Sequence, residues 1–438
     1  MTIPASNGLP LIGHTLSFFR DYVGTHQRLH NKHGDLVKAN AFFHKAVYVY
    51  SADANRMVLQ DSDGIFSARR GYWPLMSQLF TEGLLLKDGT DHKQHRKIMQ
   101  KSFQKEAMVE YTRLMLPQIK HTIERWPSNE VIEFYPTLKA LALDLACTVF
   151  AGSKQPKESE ILGRNFDVLL SGTSALVKKS IPGLQFWKSM HSRKFLEQYF
   201  RQRVKERRTS THHDLFSKLC QAKSEDGEQL SEDDIINHMI FMLFAAHETT
   251  TTAITTLMAE LAKNPRWQTR LRDECQALGD RHHNLTYEDL DKLPMMEWSL
   301  NESMRLNPPV LTYIRRATRD CEYKGQTIKA KSFVIVTPAI AHHSQQWWRA
   351  PERFDPERFS PQRAEHQQHP GCWIPFGSGA HTCLGMRFAY VEAKIILFTI
   401  LQNFQVSFKN ENYQARFREI PTSVPLDGLP LMLTRIQL

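Results

Sequence analysis

The sequence predicts a mainly α protein, a large helical part joined to a smaller β-rich part, with residues 1–438 forming one domain. Three observations carry this. From about Thr90 to Ala277 nearly every segment reads as helix. Strand-like composition is confined to the stretch from Leu36 to Tyr50 and to short pieces before Thr337. No repeat, low-complexity segment or obvious linker divides the chain, although ~150 residues per domain would allow up to three.

The opening PLIGHTLSFFRD leads into a helical stretch, and the Val-, Phe- and Tyr-rich segment from Leu36 to Tyr50 follows as strand. The clearest helix begins at Ser231, where S-E-D-D supplies an N-cap with an acid three residues on. It runs to Lys263 before Asn264 and Pro265 stop it, a length of ~50 Å at ~1.5 Å per residue. Apolar on most sides from Met239 to Ala246, it must be buried there. A helix from Met295 to Leu306 ends before Pro308-Pro309. Short strands and turns follow, then a Pro/Arg-rich irregular stretch, then a last long helix from about Leu384 to Asn403.

Composition excludes several classes. At 41% hydrophobic and 23% charged the chain is an ordinary globular protein, neither disordered nor collagen-like. No apolar run approaches the ~18 residues that span a bilayer, so an integral membrane segment is excluded. The first fifteen residues carry no Lys or Arg ahead of an apolar core, which does not read as a secretory signal; a cytoplasmic monomer is expected. Six scattered cysteines predict free thiols. The net charge of +10 has no nucleic-acid motif to go with it, and an acidic protein partner fits it at least as well.

The most informative segment is Phe376-Gly-Ser-Gly-Ala-His-Thr-Cys383-Leu-Gly385, directly before the last helix. Its glycines allow positive φ and close backbone approach, so the loop can wrap around the cysteine and present the sulfur outward. At a helix N-terminus the dipole and unpaired N–H groups favour thiolate over thiol, as a metal ligand requires. A lone cysteine beside a glycine turn would read as a core residue. The pattern F-G-x-G-x-x-x-C-x-G, however, resembles the haem-ligand loop of the cytochrome P450 superfamily, and the resemblance spans essentially the whole chain in the family's order. It implies the P450 fold, a triangular helical domain with haem between the long helix and the last one. Cys383 would bind the iron, with Phe376 and Gly385 against the cofactor. No C-x-x-C-H is present, so the expected cofactor is non-covalent haem b.

Other segments match the family in turn. Glu302-Ser-Met-Arg305 resembles its E-x-x-R helix, and Pro356-Glu-Arg358-Phe359 its later P-E-R-F stretch. A duplicate P-E-R-F at Pro351 to Phe354 fits less well, because the second copy is the one preceded by Phe-Asp. Alone, E-x-x-R is most often a surface ion pair worth a few tenths of a kcal/mol. In the family it is buried with the later arginine and braces the cysteine loop, and losing one partner would cost ~3 to 5 kcal/mol. Ala245-Ala-His-Glu248-Thr249-Thr250, mid-way along the long helix, resembles the oxygen-activation motif. That implies a haem contact at Ala245, a hydrogen bond from Thr249 to dioxygen and a proton relay through Glu248. Ala246 stands where the family usually has glycine, and without the cysteine loop the segment would read as a polar patch in a Thr-rich helix. A zincin reading fails, since Thr251 replaces the second His of H-E-x-x-H. His92 and Arg96, four apart, match another family pair; Arg315 and His381 occupy further propionate-binding positions. Singly each is a solvated surface charge; together they supply the cations two buried propionates need.

The resemblance therefore implies an oxidoreductase, a haem-thiolate monooxygenase that reduces O2 with two electrons and hydroxylates or epoxidises a lipophilic substrate. Two other classes stand beside it: a peroxide-driven or isomerising haem-thiolate enzyme, and a non-catalytic haem-binding sensor. The Glu248-Thr249 pair favours oxygen activation over both. The expected pocket combines Phe241, Ala245 and Thr249 with Tyr72, Trp73, Leu75, Val310, Tyr313 and Val424, mostly apolar side chains that disfavour small polar substrates. Several of these, Phe241 and Leu75 above all, read equally as core. The stretch from Ser180 to Trp187 and the H-E-T-T form resemble the branch with retinoic-acid hydroxylases and sterol demethylases, which implies an elongated terpenoid, sterol or fatty-acid-like substrate, with Arg69 or Arg70 as candidates to hold a carboxylate. Lys93, Lys97, Lys101 and Lys105, spaced by four, would form one outward helical stripe about 100° from the His92 and Arg96 face. Solvated lysines are the default reading. In the family that helix borders the haem face nearest the cysteine, so the resemblance implies docking of an acidic ferredoxin or flavodoxin-type electron donor. The absence of an amino-terminal membrane helix resembles soluble bacterial members.

Overall fold

The computed structural model describes residues 2–436 apart from 154, 176–177, 281 and 420–421. Its axis is the helix Glu232–Lys263. Ser231 caps it by accepting from the Asp234 N–H, three acids fill its first turn, and Pro265 opens the next helix, Pro265–Gln276. Around it pack Phe134–Val149, Gln185–Arg207, Pro294–Leu306 and the last helix, Met386–Asn403. Met239, Ile240 and Leu243 are buried among these neighbours. Phe241, Ala245 and Thr249, by contrast, line a cavity. The helix is thus core on one face and wall on another.

The stretch from Leu36 to Tyr50 is two strands, Leu36–Ala41 and His44–Val49, paired antiparallel around Phe42 and Phe43. Both turn residues have positive φ. The hairpin sits in a six-stranded sheet ordered Ala5–Ser6, Leu36–Ala41, His44–Val49, Phe333–Val336, Tyr313–Ala317, Phe66–Ser67. Arg315 lies opposite Val334 in the antiparallel pair Tyr313–Ala317 and Phe333–Val336. A second sheet, which the sequence reading did not anticipate, joins Glu130–Glu133, Phe404–Ser407 and Pro430–Arg435. Its strands are four to six residues long and come from three remote segments, so none stands out locally. Among the described residues no helix is long and apolar enough to cross a membrane.

Candidate functional site

The loop before the last helix is closed by the Cys383 N–H donating to the Phe376 carbonyl at 2.8 Å. Gly377 and Gly379 have φ of 72° and 69°. At Gly379 a Cβ would come within 2.1 Å of the Leu59 carbonyl oxygen, so only glycine lets the loop rest on the helix Ala52–Gln60. Tyr313 ties the loop to the sheet. Its hydroxyl accepts from the Gly377 N–H at 2.9 Å and lies 2.8 and 2.9 Å from the Ile374 and Pro375 carbonyl oxygens. The Cys383 sulfur opens onto the cavity. The protein walls around it push the thiol pKa up, against the opposing Gly385 N–H and Arg96. Desolvation thus works against the helix terminus expected to favour thiolate.

Beside the loop, Glu302 is completely buried with Arg305 and Arg358. Arg305 donates to its two oxygens through Nε at 2.7 Å and Nη2 at 2.9 Å, and Arg358 through Nε at 3.2 Å. The Asp355 N–H adds a fourth bond at 2.9 Å. The guanidiniums spend their remaining donors on the irregular segment: Arg305 on the His342 and Pro351 carbonyls, Arg358 on those of Arg349 and Ala350. Arg358 also meets Glu365 at 3.1 Å, a partner the motif did not reveal. Arg353, from the first P-E-R-F copy, is exposed.

The cavity has a volume of about 1250 Å³, above the roughly 300–1,000 Å³ usual for one small ligand. His92, Arg96, Arg315 and His381 all line it. The His92 and His381 rings lie 4.0 Å apart, and His381 Nε2 is 3.6 Å from Asp88. His92 Nε2 is buried without a partner, and burial, with His381 and Arg96 close by, presses its pKa down to about 3. Neither the partly buried Arg96 nor the buried Arg315 forms an ion pair with a described carboxylate; Arg315 reaches the Ile314 carbonyl at 3.0 Å. Two enclosed guanidiniums and an orphaned imidazole around one space are costly until an anion enters. The two carboxylates of haem b are such anions. A Cβ at Gly385 would meet nothing nearer than Phe103 at 4.0 Å, which leaves the space beside the cysteine open. The residues fit the cofactor.

On the opposite wall, the Thr249 hydroxyl donates to the Ala245 carbonyl at 2.8 Å. Glu248 also lines the cavity, yet its carboxylate is held from the helix Phe134–Val149. The Tyr135 hydroxyl donates a short hydrogen bond to Oε1, and Lys139 Nζ stands 3.4 Å from Oε2. Tyr135 and Lys139 share a helix face one turn apart, and nothing in their local sequence marked them. Glu392, on the last helix, was also missed. It is buried beneath the same motif, and desolvation pushes its pKa up to about 8 against a hydrogen bond with Thr250.

Of the expected pocket residues, Tyr72, Leu75, Phe241, Ala245, Thr249, Val310 and Tyr313 line the cavity. Trp73 and Val424 do not. The Trp73 ring instead lies 4.7 Å from the Arg69 guanidinium. Val424 is buried in its hairpin with Phe417–Arg418, which reaches the cavity through Arg418 and Thr422. Arg69 is taken by Glu82, at 2.9 and 2.8 Å, and Arg70 is exposed away from the lining. Arg418 and Lys178 are the lining cations beyond the cofactor set and Lys139. The lysines expected as one stripe are divided. Lys93 and Lys97 lie on the helix Gly89–Gln100, Lys101 in the turn after it, and Lys105 opens the helix Lys105–Ile123. Lys97 pairs with Glu225 at 2.7 Å and Lys105 with Glu288 at 3.5 Å.

A mostly helical fold with a cysteine loop under a cation-lined, apolar cavity defines a haem-thiolate oxidoreductase. The family profile described as Cytochrome P450 matches residues 3–428. A Mycobacterium tuberculosis protein named cytochrome P450 136 is 34% identical over 97% of this chain and 87% of its own. Abscisic acid 8'-hydroxylase 2 of Arabidopsis thaliana is 28% identical over 99% of this chain and 90% of its own. The solved structure of retinoic acid bound cyanobacterial CYP120A1 superposes with a TM-score of 0.88 at 26% identity, covering 99% of both chains. The chain belongs to the cytochrome P450 family: it is a haem-thiolate monooxygenase with haem b as cofactor. Dioxygen, a lipophilic substrate and an electron donor go with that membership.

Proposed function

We propose that this monooxygenase holds haem iron through Cys383, with His92, Arg96, Arg315 and His381 receiving the propionates and Phe376, Ala245 and Gly385 against the ring. The observation that carries the reading is the convergence on one cavity of a cysteine presented by a glycine loop and two guanidiniums that pair with no described carboxylate. Bound haem supplies dioxygen binding and electron transfer, and a thiolate ligand favours O–O cleavage. Thr249, whose hydroxyl now donates to Ala245, is placed to offer that proton into the cavity. Glu248 relays protons between the cavity and the Tyr135 and Lys139 side, where Lys139 is partly exposed to solvent. Electrons come from an acidic ferredoxin or flavodoxin-type donor meeting the exposed lysines near the cysteine face, Lys93 and Lys101 foremost, with Lys97 and Lys105 beside them.

The substrate is an elongated terpenoid, sterol or fatty-acid-like molecule. An apolar lining supports this, as do relatives named for abscisic acid and taxane hydroxylation. A carboxylate on it would meet Arg418 or Lys178, since Arg69 and Arg70 are unavailable. The deciding experiment on the ligand is Cys383→Ser, which should abolish the thiolate-type spectrum of the reduced CO complex; its retention overturns the assignment. Spectral titration decides the substrate class: long isoprenoid acids should shift the haem spectrum, and Arg418→Ala should weaken the acid more than its alcohol. Shifts with small polar aromatics alone would refute it.

A further inference from the structure

Three side chains able to ligate a metal meet where the helix Gly89–Gln100 touches the first turns of the long helix. Asp234 and His238 stand four apart on one face of the long helix, and His95 reaches them from the other. Among the described residues, theirs is the one group of three such side chains whose ligand atoms all lie within 4.8 Å of one another. His95 Nδ1 is 2.8 Å from His238 Nε2 and 3.9 Å from Asp234 Oδ1. None of the three lines the large cavity.

The surroundings favour a cation. His238 is fully buried and His95 nearly so. Burial lowers the pKa of both rings, that of His238 well below its ordinary value, so each offers a lone pair at neutral pH. The two facing nitrogens share one hydrogen bond, and His238 Nδ1 is buried without a partner. On the far side of the His95 ring, Nε2 lies 3.1 Å from Asp91 Oδ1, the carboxylate–imidazole arrangement that orients a ligating histidine. Asp91, Asp234 and Glu82 surround the ammonium of Lys87, whose Nζ lies 3.1, 3.6 and 3.7 Å from them. Glu82 is also held by Arg69 at 2.8 Å. Among these groups one negative charge stays uncompensated.

We propose that His95, His238 and Asp234 bind a zinc ion, with Asp91 orienting His95 and a water molecule as fourth ligand. Two imidazoles and a carboxylate suit zinc, whereas magnesium and calcium take oxygen sets. Bonds of about 2.0–2.1 Å put tetrahedral neighbours about 3.3 Å apart, so from 2.8 and 3.9 Å the ring nitrogens part and the carboxylate closes by about half an ångström each. With the His95 proton on Nε2 facing Asp91, the proton between the rings belongs to His238. It moves to His238 Nδ1 as zinc binds, and both facing nitrogens coordinate. Zinc replaces the Lys87 ammonium as the cation that Asp234 faces. The ion ties the helix that carries His92 and Arg96 to the long helix. This reading concerns zinc binding and is independent of turnover.

Equilibrium dialysis of the haem-loaded protein against chelator-buffered zinc tests it, after stripping with EDTA, with elemental analysis counting zinc against haem iron. The wild-type chain should bind one zinc per iron. X-ray absorption at the zinc edge should show two imidazoles and no sulfur. His238→Gln and Asp234→Asn should each weaken binding at least about 100-fold, and Asp91→Asn about ten-fold. Lys87→Gln, which removes the competing ammonium, should tighten it. Zinc at about 100 times its Kd should raise the wild-type thermal midpoint by about 3 °C. His44→Gln, at an exposed histidine elsewhere, should bind as the wild type does. Less than one zinc per iron at saturation, sulfur at the zinc edge, or equal binding by the wild type, His238→Gln and Asp234→Asn overturns the proposal, the last result assigning zinc to surface histidines. If His238→Gln does not fold, Asp234→Asn decides alone, because the helix cap uses only its backbone N–H, and unchanged affinity overturns the proposal.

Discussion

Replacing Glu302 by Gln removes the carboxylate from a fully enclosed ion triad. Four hydrogen bonds end on its two oxygens, from Arg305 Nε and Nη2, Arg358 Nε and the Asp355 N–H. In the variant an amide N–H₂ faces guanidinium donors. Arg358 keeps Glu365 at 3.1 Å, whereas Arg305 is left with carbonyl partners and no carboxylate. Breaking a buried pair in this way costs about 3 to 5 kcal/mol. With an unfolding entropy of about 2.1 cal/mol/K per residue, 438 residues give about 0.9 kcal/mol/K, so the thermal midpoint should fall by about 3 to 5 °C. Calorimetry of the haem-loaded protein measures this, and the reduced CO spectrum reports whether the cysteine loop has loosened. Arg358→Ala should cost at least as much, while Arg353→Ala, at the exposed first copy of the motif, should move the midpoint by less than about 1 °C. A Glu302→Gln midpoint within about 1 °C of wild type, or equal losses for Arg353→Ala and Arg358→Ala, would refute the bracing argument.

Thr249→Ala and Glu248→Gln should keep haem and substrate binding but divert electrons from product to peroxide; coupling equal to the parent in both would remove the proton assignment. Tyr135→Phe should change the solvent isotope effect and pH profile of turnover without weakening the substrate-induced spectral shift, because it alters how Glu248 is held; unchanged profiles count against that role. Glu392 binds a proton in the folded chain up to about pH 8 but loses it near its ordinary value when unfolded. Its contribution is therefore fully present at low pH and declines as pH rises towards 8, by about 1.4 kcal/mol per unit. Glu392→Gln should remove that slope from the thermal midpoint, and parallel wild-type and variant curves between about pH 5 and 8 would show that the group is not protonated. Lys93→Glu with Lys101→Glu should slow reduction by an acidic ferredoxin several-fold at low salt and leave substrate binding intact; salt-independent, unchanged rates exclude docking there.

The sequence by itself determined the parts whose chemistry is local. Ser231 and the acids after it cap the long helix because capping needs only neighbouring N–H groups, and the glycines around Cys383 announce a loop because positive φ is a property of single residues. Tertiary structure decided what each charge meets. Arg69 is lost to Glu82, Glu248 is taken up by Tyr135 and Lys139, and Lys97 and Lys105 find acids on remote segments. Arg96 and Arg315, both on the cavity, form no ion pair with a described carboxylate. A charged side chain can pair with any oppositely charged group the fold brings within reach, and that choice depends on partners outside its own element, 13 residues away for Arg69 and more than a hundred for Glu248, Lys97 and Lys105. The same holds for Glu392, a surface type by residue identity, whose raised pKa exists only because two packed helices close over it.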